Sequence, residues 1–126
     1  MSSFTLIRVR LKNVSAELLR QVVEQLCKDL GGTMTTTITN YYGNRSRVEL
    51  GFTCPQFTRG VGFEIVNGQV QMKADFYQHY EFQQRLERQL TQTYTAQAHQ
   101  QALRQAGFQV QQQKVGEKIV LRAFSW

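Results

Sequence analysis

Residues 61–74 read Val-Gly-Phe-Glu-Ile-Val-Asn-Gly-Gln-Val-Gln-Met-Lys-Ala, and the Asn67-Gly68 pair at their centre decides the reading of the rest. A two-residue type I′ turn needs positive φ at both central positions, a demand that Asn-Gly meets at little steric cost. Folding the chain there pairs Ile65 with Val70, Phe63 with Met72 and Val61 with Ala74 on one face, and sets Glu64 beside Gln71 on the other. A strand pair with one apolar and one polar face belongs to an antiparallel sheet covered on one side.

The period of 2 continues upstream. Residues 33–42 are Thr-rich and β-branched and read as one strand; Val48, Leu50, Phe52 and Cys54 then alternate with Arg47, Glu49, Gly51 and Thr53. Residues 4–11 form a first strand with Ile7, Val9 and Leu11 on one face and Arg8 and Arg10 on the other. Between them lies a helix, with Ser15 as N-cap, Glu17 in the first turn, a stripe of Leu19, Val22, Val23, Leu26 and Leu30, and a stop at Gly31-Gly32. Downstream, residues 77–106 carry Phe82, Leu86, Leu90 and Tyr94 at four-residue steps, with a break expected where β-branched residues cluster at 91–95. A last hairpin joins residues 108–113 to 118–124 around Gly116-Glu117, where two- and three-residue loops both fit. The order β-α-β-β-β-β-α-β-β predicts an α+β two-layer sandwich, a mainly antiparallel sheet with helices packed on one face and a polar outer face.

At 126 residues the chain is one domain, residues 1–126, large enough to form a core without disulfide or metal staples. No apolar run approaches the roughly 18 residues of a membrane span and no secretory leader is visible, so the expectation is a soluble intracellular protein. Fifteen Lys and Arg against nine Asp and Glu give +6, which favours acidic partners. Nucleic acid or another polyanion is the alternative partner, unsupported by an RNP-type aromatic motif, a helix-turn-helix or an Arg-rich run. Cys27 and Cys54 lack metal or redox spacing and read as buried thiols. The glutamines of the C-terminal half are interleaved with helix-spaced Leu and Ala and read as a solvated face.

Candidates for chemistry are few. Asp75 reads as one half of a surface ion pair with Lys73 or an arginine, His79 as a helix-start residue, and Gly60 and Gly62 form no phosphate loop. No cofactor or metal is expected, and an enzyme using His79, Asp75 and Tyr94 is the least favoured alternative to a non-enzymatic interaction module. The binding candidates are Tyr41, Tyr42, Arg45 and Arg47, where phenols and guanidiniums share one turn, extended by Arg8 and Arg10; the competing account is a plain strand connection. At the C-terminus Val120, Phe124 and Trp126 share one strand face and Ile119, Leu121 and Ala123 the other. Only one face can meet the helices, so Phe124 and Trp126 are candidates for a homodimer contact or a partner-docking site, unless the tail folds back over the sheet edge.

The opening Met1-Ser2-Ser3-Phe4-Thr5-Leu6-Ile7, the central Gly62-Phe63 and Met72-Lys73-Ala74-Asp75, and the closing Tyr94, Gly107-Phe108-Gln109-Val110, Ile119-Val120-Leu121 and Trp126 resemble the hypothetical chloroplast open-reading-frame family thirty-five. The resemblance implies a soluble protein of a photosynthetic cell, in a cyanobacterial cytoplasm or a chloroplast stroma, and a family without an assigned activity. It supplies no catalytic residue, and it places Tyr42-Gly43 and Arg45 at a Gly- and Arg-containing turn of the family.

Overall fold

The computed structural model describes residues 4–125. In chain order the elements are β1 (Thr5–Val9), α1 (Ala16–Asp29), β2 (Thr33–Met34), β3 (Thr37–Thr39), β4 (Arg45–Arg47), β5 (Gly51–Cys54), β6 (Phe57–Val66), β7 (Gln69–Ala74), α2 (Tyr80–Gln105), β8 (Phe108–Val115) and β9 (Lys118–Ser125). Strands β1, β7, β6, β5 and β2 form a five-stranded sheet in that order, with every neighbouring pair antiparallel. Helix α1 therefore carries the chain from one edge of the sheet to the other. The fold is α+β, with helices packed against an antiparallel sheet.

The Asn-Gly turn sets the register as its chemistry requires. Asn67 and Gly68 both take positive φ, at 51° and 76°, and Phe63 faces Met72, Glu64 faces Gln71 and Ile65 faces Val70. Met72, Val70, Phe63, Val61 and Phe52 are almost fully buried under α1 and α2. Ile65 and Val66, at the turn end, run past the helices and stay exposed. The Ser15 hydroxyl accepts from the Leu18 N–H at 3.3 Å, capping α1, and Leu18, Leu19, Val22, Val23, Leu26 and Cys27 make its buried stripe.

Three features depart from the sequence expectation. Residues 33–42 are two short strands rather than one: β2 joins the main sheet, whereas β3 turns away and pairs with β4, a strand inside the stretch read as a loop. The Thr35 hydroxyl drives this break, accepting from the Thr37 N–H and donating to the Thr37 carbonyl. Nor is the outer face of the sheet purely polar. The β3–β4 ribbon lies on it, and Ile38, fully buried, and Val48 pack there on a floor of glycines. A Cβ on Gly62 would overlap Val48 Cγ1, and one on Gly60 would stand 3.1 Å from Ile38 Cγ2.

The third departure is that α2 runs unbroken for 26 residues. The Thr91 hydroxyl donates to the Glu87 carbonyl at 2.9 Å, and Leu90, Thr93 and Tyr94 are buried against the core, so packing overrides the β-branched penalty. Beyond Tyr94 the helix leaves the sheet and packs against the β8–β9 hairpin. Here Gly116, with φ 62°, and Glu117 form a two-residue loop that pairs Val115 with Lys118.

The glycine floor makes a direct prediction. Gly62→Ala forces Val48 or the β4–β5 segment to move, and is expected to cost about 1–3 kcal/mol in urea denaturation, the usual range for overpacking. Adding Val48→Ala should recover part of that loss; strict additivity of the two substitutions would refute the contact.

Candidate functional site

The C-terminal end of β7 and the turn between β3 and β4 come together at one end of the sheet, 34 residues apart in sequence. Asp75 is buried there, 4% exposed, where the sequence reading placed a surface ion pair. Its Oδ2 accepts from the Tyr41 N–H at 2.7 Å and its Oδ1 from the Tyr77 N–H at 3.1 Å, the second bond forming an Asx-turn. Arg59 Nη1 lies 3.9 Å from Oδ1 and donates to the Asp75 and Tyr77 carbonyls at 2.9 and 2.7 Å. Lys73 Nζ donates to Ser46 Oγ at 2.7 Å, fastening β4 to the outer face of β7.

The turn is wound equally tightly. Asn40 is buried, and its Oδ1 accepts from the N–H groups of Tyr42 and Asn44 at 3.0 and 2.8 Å. Gly43 closes the turn at φ 83°, donating to the Asn40 carbonyl. With the backbone fixed this way, the phenols have only their own torsions left.

Tyr41 stands edge-on to Tyr42 (centroids 5.2 Å) and to Tyr77 (5.1 Å), and the Arg59 guanidinium lies 5.2 Å from the Tyr41 centroid. Tyr41, Tyr42 and Tyr77 nevertheless expose 48, 63 and 48% of their surface. In the buried core Phe57 stacks between Phe76 and Phe82.

Of the candidates named from sequence, Tyr41 and Tyr42 belong to this cluster. Arg45 and Arg47 are exposed on β4, on the side of the ribbon opposite the inward Ile38 and Ser46. Arg8 is exposed on β1 opposite Gln71, about four residues of strand away from Asp75, so Arg8 and Arg10 do not join the tyrosines. Phe124 is 44% exposed on β9, and Trp126 lies outside the described residues. The sequence reading missed Tyr77 and Arg59, whose roles appear only when β7 meets the distant turn.

The residues weighed for catalysis each make structural contacts. The Tyr94 hydroxyl donates to the Asn13 carbonyl at 3.0 Å and accepts from the Ser15 N–H at 2.9 Å, tying α2 to the start of α1. His79 precedes α2 and stands edge-on to Phe57 at 5.4 Å. It lines an open hollow with Gln56, Tyr80 and Arg85 that includes neither Asp75 nor Tyr94. Among the described residues no His, Cys, Asp and Glu grouping could hold a metal ion, and no helix is long and apolar enough to cross a membrane.

Cys27 and Cys54 are both buried and unbonded, and burial, with Cys54 nearby, pushes the Cys27 thiol above its ordinary 9.0. The raised value keeps the folded thiol protonated while the unfolded one ionises. Thermal stability is therefore expected to hold up to about pH 9 and to fall above it, more steeply than in Cys27→Ala. Asp75→Ala, which strands Arg59 and two backbone N–H groups, should cost about 3 kcal/mol in urea denaturation, and Asp75→Asn less. A loss below about 0.5 kcal/mol for Asp75→Ala would show that the network holds nothing in place.

No family model, no curated protein and no solved structure matches the chain, so function is read from this cluster and the charge around it.

Proposed function

We propose that the chain is a non-enzymatic interaction module that binds an acidic protein partner through Tyr41, Tyr42 and Tyr77. The observation that carries this reading is the combination of exposure and immobility. Two half-exposed tyrosines, Tyr41 and Tyr42, sit on a turn whose backbone is bonded to two buried polar side chains, and Tyr77, just past β7, stands edge-on to Tyr41. Tyrosine and arginine dominate the energetics of protein interfaces because each supplies a large contact area with a polar tip, and rigid rings lose little entropy on binding.

The charge around the cluster supports an acidic partner. The sheet and its connections, residues 1–15 and 33–79, hold seven of the fifteen cations and three of the nine carboxylates, and one of those three is the buried Asp75. The same excess is the observation behind a second reading, binding of nucleic acid or another polyanion through Arg8, Arg10, Arg45 and Arg47, with Tyr42 as a stacking ring. The module is read as an accessory protein, and the resemblance to the chloroplast open-reading-frame family supports a place in a cyanobacterial cytoplasm or a chloroplast stroma.

Affinity capture from a photosynthetic lysate tests the first reading. The wild-type chain should retain a defined protein partner, and Tyr42→Ala with Arg45→Ala should lower its recovery about tenfold, the scale of one lost interface hot spot. Recovery of nothing above background, or equal recovery by both proteins, would sink it. A low-salt titration with single-stranded RNA and duplex DNA addresses the second: micromolar binding that weakens steeply with salt would favour the polyanion.

A further inference from the structure

The β8–β9 hairpin ends in an open strand edge. Among the described residues its eight-residue strands form a separate two-stranded sheet, a size that is marginal without added strands or packing. Strand β8 lies on the side of α2 that faces α1, where Gln112 and Lys114 share a cavity of about 350 Å³ with Gln25 and Asp29 of α1. The edge of β9 lies on the other side. A groove of about 600 Å³ runs there between α2, at Thr95, Ala96 and His99, and β9, at Ile119 and Leu121.

Natural edge strands are blunted by charged side chains, proline, bulges or inward charges, and β9 carries only the first of these, at Lys118 and Arg122. Strand β9, Lys-Ile-Val-Leu-Arg-Ala-Phe-Ser, has no proline, and its ladder to β8 runs without a register shift from Val115–Lys118 to Phe108–Ser125. In a hairpin closed by a two-residue loop, the pair flanking the loop exchanges hydrogen bonds. The N–H groups of Lys118, Val120, Arg122 and Phe124 thus point to β8, and those of Ile119, Leu121 and Ala123 point out of the edge.

We propose that this edge pairs with β9 of a second copy of the chain, antiparallel about a two-fold axis at Leu121, to make a continuous four-stranded sheet. The sequence of β9 is self-complementary in that register. On the side facing α2, Leu121 meets the partner's Leu121 and Ile119 meets the partner's Ala123, which extends the apolar lining of the groove across the axis. On the opposite side Lys118 meets the partner's Phe124 and Arg122 meets the partner's Val120. Each cation thus lies opposite an apolar or aromatic group, and the two half-exposed side chains Val120 and Phe124 gain neighbours. Moving the axis to Arg122 would set two guanidiniums directly opposite each other, which excludes that register. The outward N–H groups of Ile119, Leu121 and Ala123 coincide with the hydrogen-bonded positions of the new ladder, so pleat, hydrogen bonds and charge agree.

Sedimentation equilibrium of the full chain, combined with amide hydrogen exchange, tests the pairing. Val120 is exposed in the single chain, so Val120→Arg leaves the hairpin intact but sets a cation against the partner's Arg122. It should weaken dimerisation at least tenfold, and Val120→Arg with Arg122→Glu should restore it by charge exchange. Ala123→Pro, which removes an outward N–H and no bond to β8, should also weaken the dimer. Slow exchange at Leu121 and Ala123 in the concentrated wild type should become fast in Val120→Arg. A wild type that stays monomeric at millimolar concentration overturns the proposal. So does a dimer indifferent to both Val120→Arg and Ala123→Pro, or one in which the charge exchange restores nothing.

Discussion

Everything in the structure depends on the register of the β6–β7 hairpin. Because side chains alternate along a strand, a shift of one residue would exchange its two faces. With Asn67 and Gly68 in the turn, Phe63 and Met72 point under the helices while Gly62 and Lys73 point outward. That assignment fixes two separate contacts. The inward set forms the main core, and the outward set forms the landing place of the β3–β4 ribbon: Gly62 gives Val48 room to approach the sheet, and Lys73 reaches Ser46. The same hairpin delivers Asp75, one residue past the end of β7, to the turn that it binds.

At that end a carboxylate substitutes for secondary structure. The turn at residues 40–44 and the start of the segment after β7 would leave backbone N–H groups unpaired, and a buried donor without a partner costs about as much as a lost hydrogen bond. Asp75 accepts from one such group on each segment, and Asn40 accepts from two more in its own turn. Arg59 balances the carboxylate charge and occupies two further carbonyls. Buried ionic groups are weak sources of net stability and better suited to holding one conformation among several. Here the conformation held is the one that projects Tyr41, Tyr42 and Tyr77 into solvent as a set.

How much of this was legible in the sequence follows from the range of each interaction. The Asn67-Gly68 turn, the Ser15 cap and the α1 stripe are written within a few residues, and the structure shows them as read. The α+β class follows from those signals. The ribbon was not legible, because Thr35 redirects the chain with a single hydroxyl, and Gly51 and Gly62 look like any glycines in a strand until Val48 is seen above them. Asp75 looked like a surface acid for the same reason: its partners Tyr41 and Arg59 lie 34 and 16 residues away. The turn at Tyr41 and Tyr42 was visible as a cluster of residue types, but not the third tyrosine or the stacked guanidinium that complete it.

Helix α2 divides the molecule into two regions of unequal packing. Through Tyr94 it belongs to the main core, closed by the phenol that bridges Asn13 and Ser15. From there to Gln105 it extends roughly 16 Å further at 1.5 Å per residue, beside the β8–β9 hairpin and, at Ala98, the edge of the core. Glutamine suits such a segment. It has good helix propensity and costs little when solvated, so it keeps the helix formed where no core compels it. The hairpin buries only part of Val110, Ile119 and Leu121, and local stability follows buried apolar contact. The tyrosine turn is thus held by bonds to the buried Asp75 and Asn40, whereas the β9 edge belongs to a hairpin with few buried side chains. A contact made at the turn draws on geometry already fixed, whereas a contact made at β9 would also supply the packing that this hairpin lacks in the single chain.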